Sequence, residues 1–85
     1  MEDINRKQQQ AELEEYRRTQ DVAISIQEEG VEKKLMIAQV EYERQVQDLQ
    51  NLIVNDDTLT EKQVAALYDR ITLLGKQFQK EKAQI

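Results

Sequence analysis

The chain contains no cysteine, proline, histidine or tryptophan, and only two glycines. Each absence removes a class of chemistry. Without cysteine there is no disulfide framework and no thiolate site, and cysteine usage says nothing about redox compartment. Without histidine no His-containing metal or catalytic set can be assembled. Ser25 is the only serine and has no histidine to activate it, while the threonines sit near helix ends or on exposed faces, so nucleophilic catalysis lacks its parts. The expectation is a protein that is not an enzyme and uses no cofactor. Long apolar runs are missing as well: the mean hydropathy is −0.81, and a stretch such as Leu35-Met36-Ile37-Ala38 falls far short of the roughly 20 residues that cross a bilayer. The start, Met1-Glu2-Asp3-Ile4-Asn5, has no basic segment followed by an apolar one. No membrane span and no recognisable secretion signal are expected, which makes a cytoplasmic or virion location the default.

Charge of one sign prevails, but unevenly. The net charge is −5; up to Val54 there are twelve acids and seven bases, and from Asn55 onward five of each. An acidic chain repels a phosphate backbone, and its lysines and arginines are interleaved with acids without aromatic neighbours. Nucleic acid is therefore not an expected partner. The carboxylates that cluster, Glu28 with Glu29 and Glu32 and then Glu41 with Glu43, lack the histidine that a di-iron bundle requires and read as solvated helix faces. Asn55-Asp56-Asp57-Thr58 has neither the alternating ligands nor the central glycine of a calcium loop; a turn explains it. No metal site is expected.

What is present is helix-forming. A proline-free chain of 85 residues with 13 Gln and 34% charged residues has the usage of long solvated helices, and its length allows one small domain. From Thr60 to Ile85, Val64, Leu67, Ile71, Leu74 and Phe78 recur at alternating steps of three and four, an apolar seam that Glu81 interrupts. Thr60 with Gln63 predicts a capping box, and Leu59 with Val64 a hydrophobic staple. Upstream, Val31, Leu35, Ala38, Tyr42, Val46, Leu49 and Ile53 form a second seam, with one extra residue between Tyr42 and Val46 that has the spacing of a stutter.

Asn55-Asp56-Asp57-Thr58 is the only strong break, because Asn and Asp favour turns. Folding back there predicts an all-α architecture: a long helix followed by a shorter antiparallel one, an αα-hairpin coiled coil. The organisation expected is a polar helical extension over 1–23 and a hairpin over 24–85 with its turn at 55–59. In this register Leu74 meets Val40, Phe78 meets Leu35 or Met36, and Val64 meets Leu49 or Gln50. The residues are read as one long helix from about Ile4 to Val54, continuing with or without a kink at Gly30, where a kink or helix boundary is favoured, and the part before Gly30 is expected to project beyond the hairpin. Glu2/Arg6, Asp3/Lys7 and Glu14/Arg18 would support the projecting part, where Leu13 and Tyr16 are the apolar contacts. The interaction seam is Leu35, Ala38, Tyr42, Val46, Leu49 and Ile53 against Val64, Leu67, Ile71, Leu74 and Phe78.

Four aromatics, Tyr16, Tyr42, Tyr68 and Phe78, and a modest aliphatic set make an isolated monomer marginal. Self-association into a homodimer or higher oligomer, or packing on other helical proteins, follows. Ile37, Leu52, Val54 and Leu73 lie off the seam and are positioned to face a second chain. The alternative is a small cytoplasmic adaptor or regulator whose projecting first helix captures a partner protein.

The run Ile24 to Leu49 also resembles helical segments of phage tail tape-measure proteins of the Bacteroidetes prophage type. The likeness is carried by Glu28, Glu29, Gly30, Lys34, Leu35, Val40, Glu41, Tyr42 and Val46, and extends to Leu59-Thr60-Glu61-Lys62-Gln63 and Lys80-Glu81-Lys82-Ala83-Gln84-Ile85. Tape-measure proteins are far longer than 85 residues, so the resemblance implies an excised segment or a small relative. It further implies a structural role, a helical rod about the tail axis that sets tail length and leaves before the genome, and it transfers no catalytic residue.

Overall fold

The computed structural model describes residues 2–85, with side chains from Arg6 onward. It is all-helical, and no strand occurs among the described residues: α1 spans Glu2–Ser25, α2 Val31–Asn55 and α3 Glu61–Gln84. The third helix starts where its cap dictates. The Gln63 amide donates to the Thr60 hydroxyl at 3.2 Å while the Thr60 amide donates to the Gln63 side-chain oxygen at 2.9 Å, satisfying two amides that the first turn leaves without helical partners. Glu61 lies in the first turn and Lys82 in the last, as the helix dipole favours.

Contrary to expectation, no single helix runs from Ile4 to Val54. Helix α1 stops at Ser25, whose hydroxyl donates to the Val22 carbonyl at 2.7 Å, and the chain turns through 26–30 before α2 begins. The turn is completed at Gly30, with φ of 156° and ψ of −169°, a conformation that a side chain strains. Consequently α1 does not project: it doubles back along α2. Glu2/Arg6 and Asp3/Lys7, expected to support it, lie outside the described side chains, and Arg18 pairs with Glu15 at 3.0 Å rather than with Glu14.

Helices α2 and α3 pack antiparallel, but in a different register. Phe78 stacks on Tyr42, not on Leu35 or Met36, with ring centroids 4.7 Å apart and planes 3° from parallel. Leu74 shares a groove with Gln45 and Leu49 rather than meeting Val40. Phe78 is thus placed six residues beyond Met36 along α2, and Leu74 five beyond Val40, a displacement of some 7–9 Å at 1.5 Å per residue. The connection explains the slip. Asp56 (φ −100°, ψ 101°) and Thr60 (φ −77°, ψ 164°) are both extended, so the chain is carried past the end of α2 before α3 begins.

The molecule measures 43 × 29 × 8 Å over its Cα atoms. With helix axes about 8–10 Å apart, a thickness of 8 Å leaves room for one layer, whereas a triangular bundle would be thicker. The three helices thus lie side by side with α2 in the middle, and among the described residues the backbones of α1 and α3 do not approach one another. A single layer encloses little. Only Ala38 and Leu67 are buried among the described side chains.

Candidate interaction surfaces

Every residue of the expected seam is at least half-buried. Leu35, Ala38, Tyr42, Val46, Leu49 and Ile53 lie on α2, and Val64, Leu67, Ile71, Leu74 and Phe78 on α3. The structure brings Tyr42, Leu49, Leu74 and Phe78 together at the centre of the hairpin. Gly75 lies beside the Tyr42 hydroxyl: a Cβ built there would lie 3.4 Å from its oxygen. Lys82 Nζ lies 5.5 Å from the Phe78 ring centroid, within cation–π range.

Opposite this seam, α2 carries a second one that periodicity of apolar residues did not disclose. Lys33, Met36, Val40 and Arg44 are half-buried on α2, as are Leu13, Arg17, Gln20 and Ile24 on α1, the latter spaced by four, three and four. Tyr16, expected as an α1 contact, is instead 60% exposed. The centre of this seam is built from charge. Arg17 donates to Asp48 Oδ1 at 2.8 Å and to the Arg44 carbonyl at 3.5 Å; Arg44 donates to Asp21 Oδ1 at 2.7 Å and to the Arg17 carbonyl at 3.0 Å. Each arginine therefore reaches across to the acid of the other helix, a reciprocal clasp. The signal was in the chain as two copies of Arg-x-x-x-Asp, Arg17 to Asp21 and Arg44 to Asp48. Read alone, each copy is a within-helix pair; only the crossing of two antiparallel helices exchanges the partners.

The clasp orients more than it stabilises. Both aspartates are 61% exposed, so each ion pair contributes up to about 1 kcal/mol. The Nε atoms of both arginines are buried without a partner, so each guanidinium is held through a terminal nitrogen.

The two broad faces of the layer differ. On one, Gln45 and Asp48 of α2 and Arg70, Leu73 and Gln77 of α3 line an open groove above Leu49 and Leu74. Ile37 and Leu52 stand eleven residues before Asp48's turn and four after it, on the same stripe of α2, so Ile37, Leu52 and Leu73 share this face; they are 37%, 43% and 62% exposed. On the other face, Gln9 of α1, Gln50 and Asn51 of α2 and Tyr68 of α3 surround Val54, which is 75% exposed. Both rims are polar: the first groove sets Leu49, Leu73 and Leu74 among Gln45, Asp48, Arg70 and Gln77, and the second sets Ile53, Val54 and Tyr68 among Gln9, Gln50, Asn51 and Asn55. The acids Glu28, Glu29 and Glu32 are exposed around the α1–α2 turn, and among the described residues no group of three or more carboxylates is placed to hold a metal. Lys33 holds Glu29 at 2.6 Å and keeps that carboxyl below the usual carboxylate range. No described helix is long and apolar enough to cross a membrane.

Comparison of the chain with protein-family models, curated proteins and solved structures finds no match.

Proposed function

We propose that this chain is a non-enzymatic structural coiled-coil module whose work is assembly, with itself or with other helices. The observation that carries the reading is surface. The protomer exposes 7046 Å², whereas a folded monomer of 10.0 kDa exposes about 5,200 Å². A single helical layer is an unfinished core: α2 is covered on its two flanks and open on both faces, and large apolar side chains remain on them. Helices with apolar stripes left wet lower their free energy by packing on further helices.

A phage tail tape-measure segment is one setting for such a module, suggested by the resemblance over Val22 to Ile85. Folding into three plies limits each unit to 43 Å, so a rod of this kind would grow by adding units end to end or layer on layer. The adaptor alternative relied on a projecting first helix, and α1 lies along α2, so that alternative draws no support from the fold.

Sedimentation equilibrium of the full chain tests the reading. A mass of at least twice 10.0 kDa is expected, falling on dilution without loss of helicity until dissociation. A chain that stays monomeric and fully helical throughout refutes assembly as its work. Calorimetric titration with calcium, manganese or ferrous iron is expected to be flat, and a saturable response would contradict the purely structural reading.

A further inference from the structure

We infer that a second copy of this chain docks on the face that carries Leu73, with a two-fold axis running along the α2–α3 groove, so that the two hairpins form an antiparallel four-helix bundle and each α1 stays on the outside. The inference rests on the assembly reading above and specifies its geometry.

Three observations select this arrangement. The first is exposed apolar surface: Leu73 lies beside a groove floored by Leu49 and Leu74 and rimmed by Gln45, Asp48, Arg70 and Gln77, and Ile37 and Leu52 extend the same face along α2, while Val54 and Tyr68 are the exposed large apolar residues around the groove of the opposite face. The second is area. Two helices about 10 Å apart along a 43 Å layer present roughly 850 Å² per protomer, close to the 800 Å² or so per partner of a standard interface. The third is charge. Asp48 and Arg70 line the same groove from opposite helices, and the antiparallel register set by the Tyr42–Phe78 stack brings them within about two residues, some 3 Å, of the same height. A two-fold rotation about an axis parallel to the helices preserves height and exchanges α2 with α3, so Arg70 of one copy comes over Asp48 of the other, Gln45 over Leu73, and Leu52 over Ala66. Arg70 makes no ion pair within the protomer among the described residues, and Arg17 occupies only Oδ1 of Asp48. A face-to-face axis perpendicular to the helices and centred at this height would instead bring Asp48 against Asp48 and Arg70 against Arg70, which repel. The chosen axis also makes every neighbouring helix pair antiparallel, with Leu73 settling against the partner's groove.

The test uses the full chain. Leu73→Glu and Leu52→Glu alter exposed side chains, so each is expected to keep the helical circular dichroism of the unaltered protein while weakening association roughly tenfold or more, because a carboxylate is desolvated at the interface. Val54→Glu, on the opposite face, is expected to leave association unchanged. Orientation is read from disulfides, for which the absence of native cysteine gives a clean background. An equimolar mixture of Gln45→Cys and Leu73→Cys chains should give the mixed disulfide under mild oxidation, and neither variant alone should cross-link. If the unaltered chain is monomeric, both the assembly reading and this inference fall. If it associates but Val54→Glu rather than Leu73→Glu dissociates it, or if either cysteine variant cross-links to itself in preference to the mixed pair, the docking mode falls and the assembly reading stands.

Discussion

Replacing Gly75 by alanine is expected to stabilise the protein. Glycine in a helix interior is less favourable than alanine by about 1 kcal/mol, because it loses more backbone freedom on folding. That gain is cancelled wherever the glycine is needed for a close approach, so the sign depends on the space beside it. A Cβ at position 75 would have a single neighbour within 4 Å, the Tyr42 hydroxyl oxygen at 3.4 Å, which is ordinary contact. Nothing has to move. The full propensity difference should therefore appear, about 1 kcal/mol, raising the midpoint of thermal unfolding by about 4–8 °C for a chain of this size. Valine at the same position carries two further methyl carbons toward Tyr42, whose ring is already stacked on Phe78 at 4.7 Å, and should lower the midpoint. The assay is circular dichroism at 222 nm through a thermal ramp, at fixed protein concentration because association contributes to the midpoint. An alanine variant that melts below the unaltered protein at equal starting helicity would refute the reasoning. It would mean that α2 and α3 approach more closely at Tyr42 than this geometry has them.

Other perturbations probe the remaining links. Gly30→Ala meets no atom within 4 Å but must adopt φ near 156°, so a loss of about 1–3 kcal/mol is expected from backbone strain alone, measured by urea unfolding; a neutral result would show that the α1–α2 turn relaxes freely. Leu67→Asp places a carboxylate at one of the two buried positions and should abolish the cooperative transition, since no cation is within the seam to pair with it; retained full helicity would count against the α2–α3 core. Asp56 accepts hydrogen bonds from the Thr58 hydroxyl and amide, which hold its carboxyl below its ordinary range. A carboxylate with a depressed folded-state pKa contributes stability above its unfolded pKa and loses it as pH falls through the folded value. Unfolding measured from neutral pH into acid should therefore show a shallower acid loss for Asp56→Ala, and identical slopes would show that this turn does not contribute.

How legible the fold was depends on the range of the interaction concerned. The Thr60–Gln63 box, the break after Asn55 and the half-buried residues facing α3 all involve positions within a turn or one helical repeat, and their signals are local: side-chain oxygen three residues from an amide, turn-forming Asn and Asp, apolar residues every three or four. The α1–α2 seam was illegible by the same measure, since Arg17, Gln20, Lys33 and Arg44 occupy positions where an apolar residue is the usual sign of burial. Arginine and lysine bury their aliphatic stems and keep the charge at the edge, so the pattern of hydropathy misses them. The hairpin register was likewise missed, because counting back from the turn assumes a connection of negligible length, and the extended residues Asp56 and Thr60 add to it.

From the sequence alone came the helical character, the position of the second turn, the cap, and the exclusion of chemistry that needs cysteine or histidine. Only the tertiary structure decided that Gly30 reverses the chain rather than bending it, that Arg17 and Arg44 exchange aspartates across two helices, and that the three helices lie in one layer with Ile37, Leu52 and Leu73 on a common face. The division follows from physics. A helix is written in neighbours three and four residues apart, whereas the plane in which several helices lie is set by which flank of α2 each of the others covers, a relation between residues some thirty positions apart that no local pattern encodes.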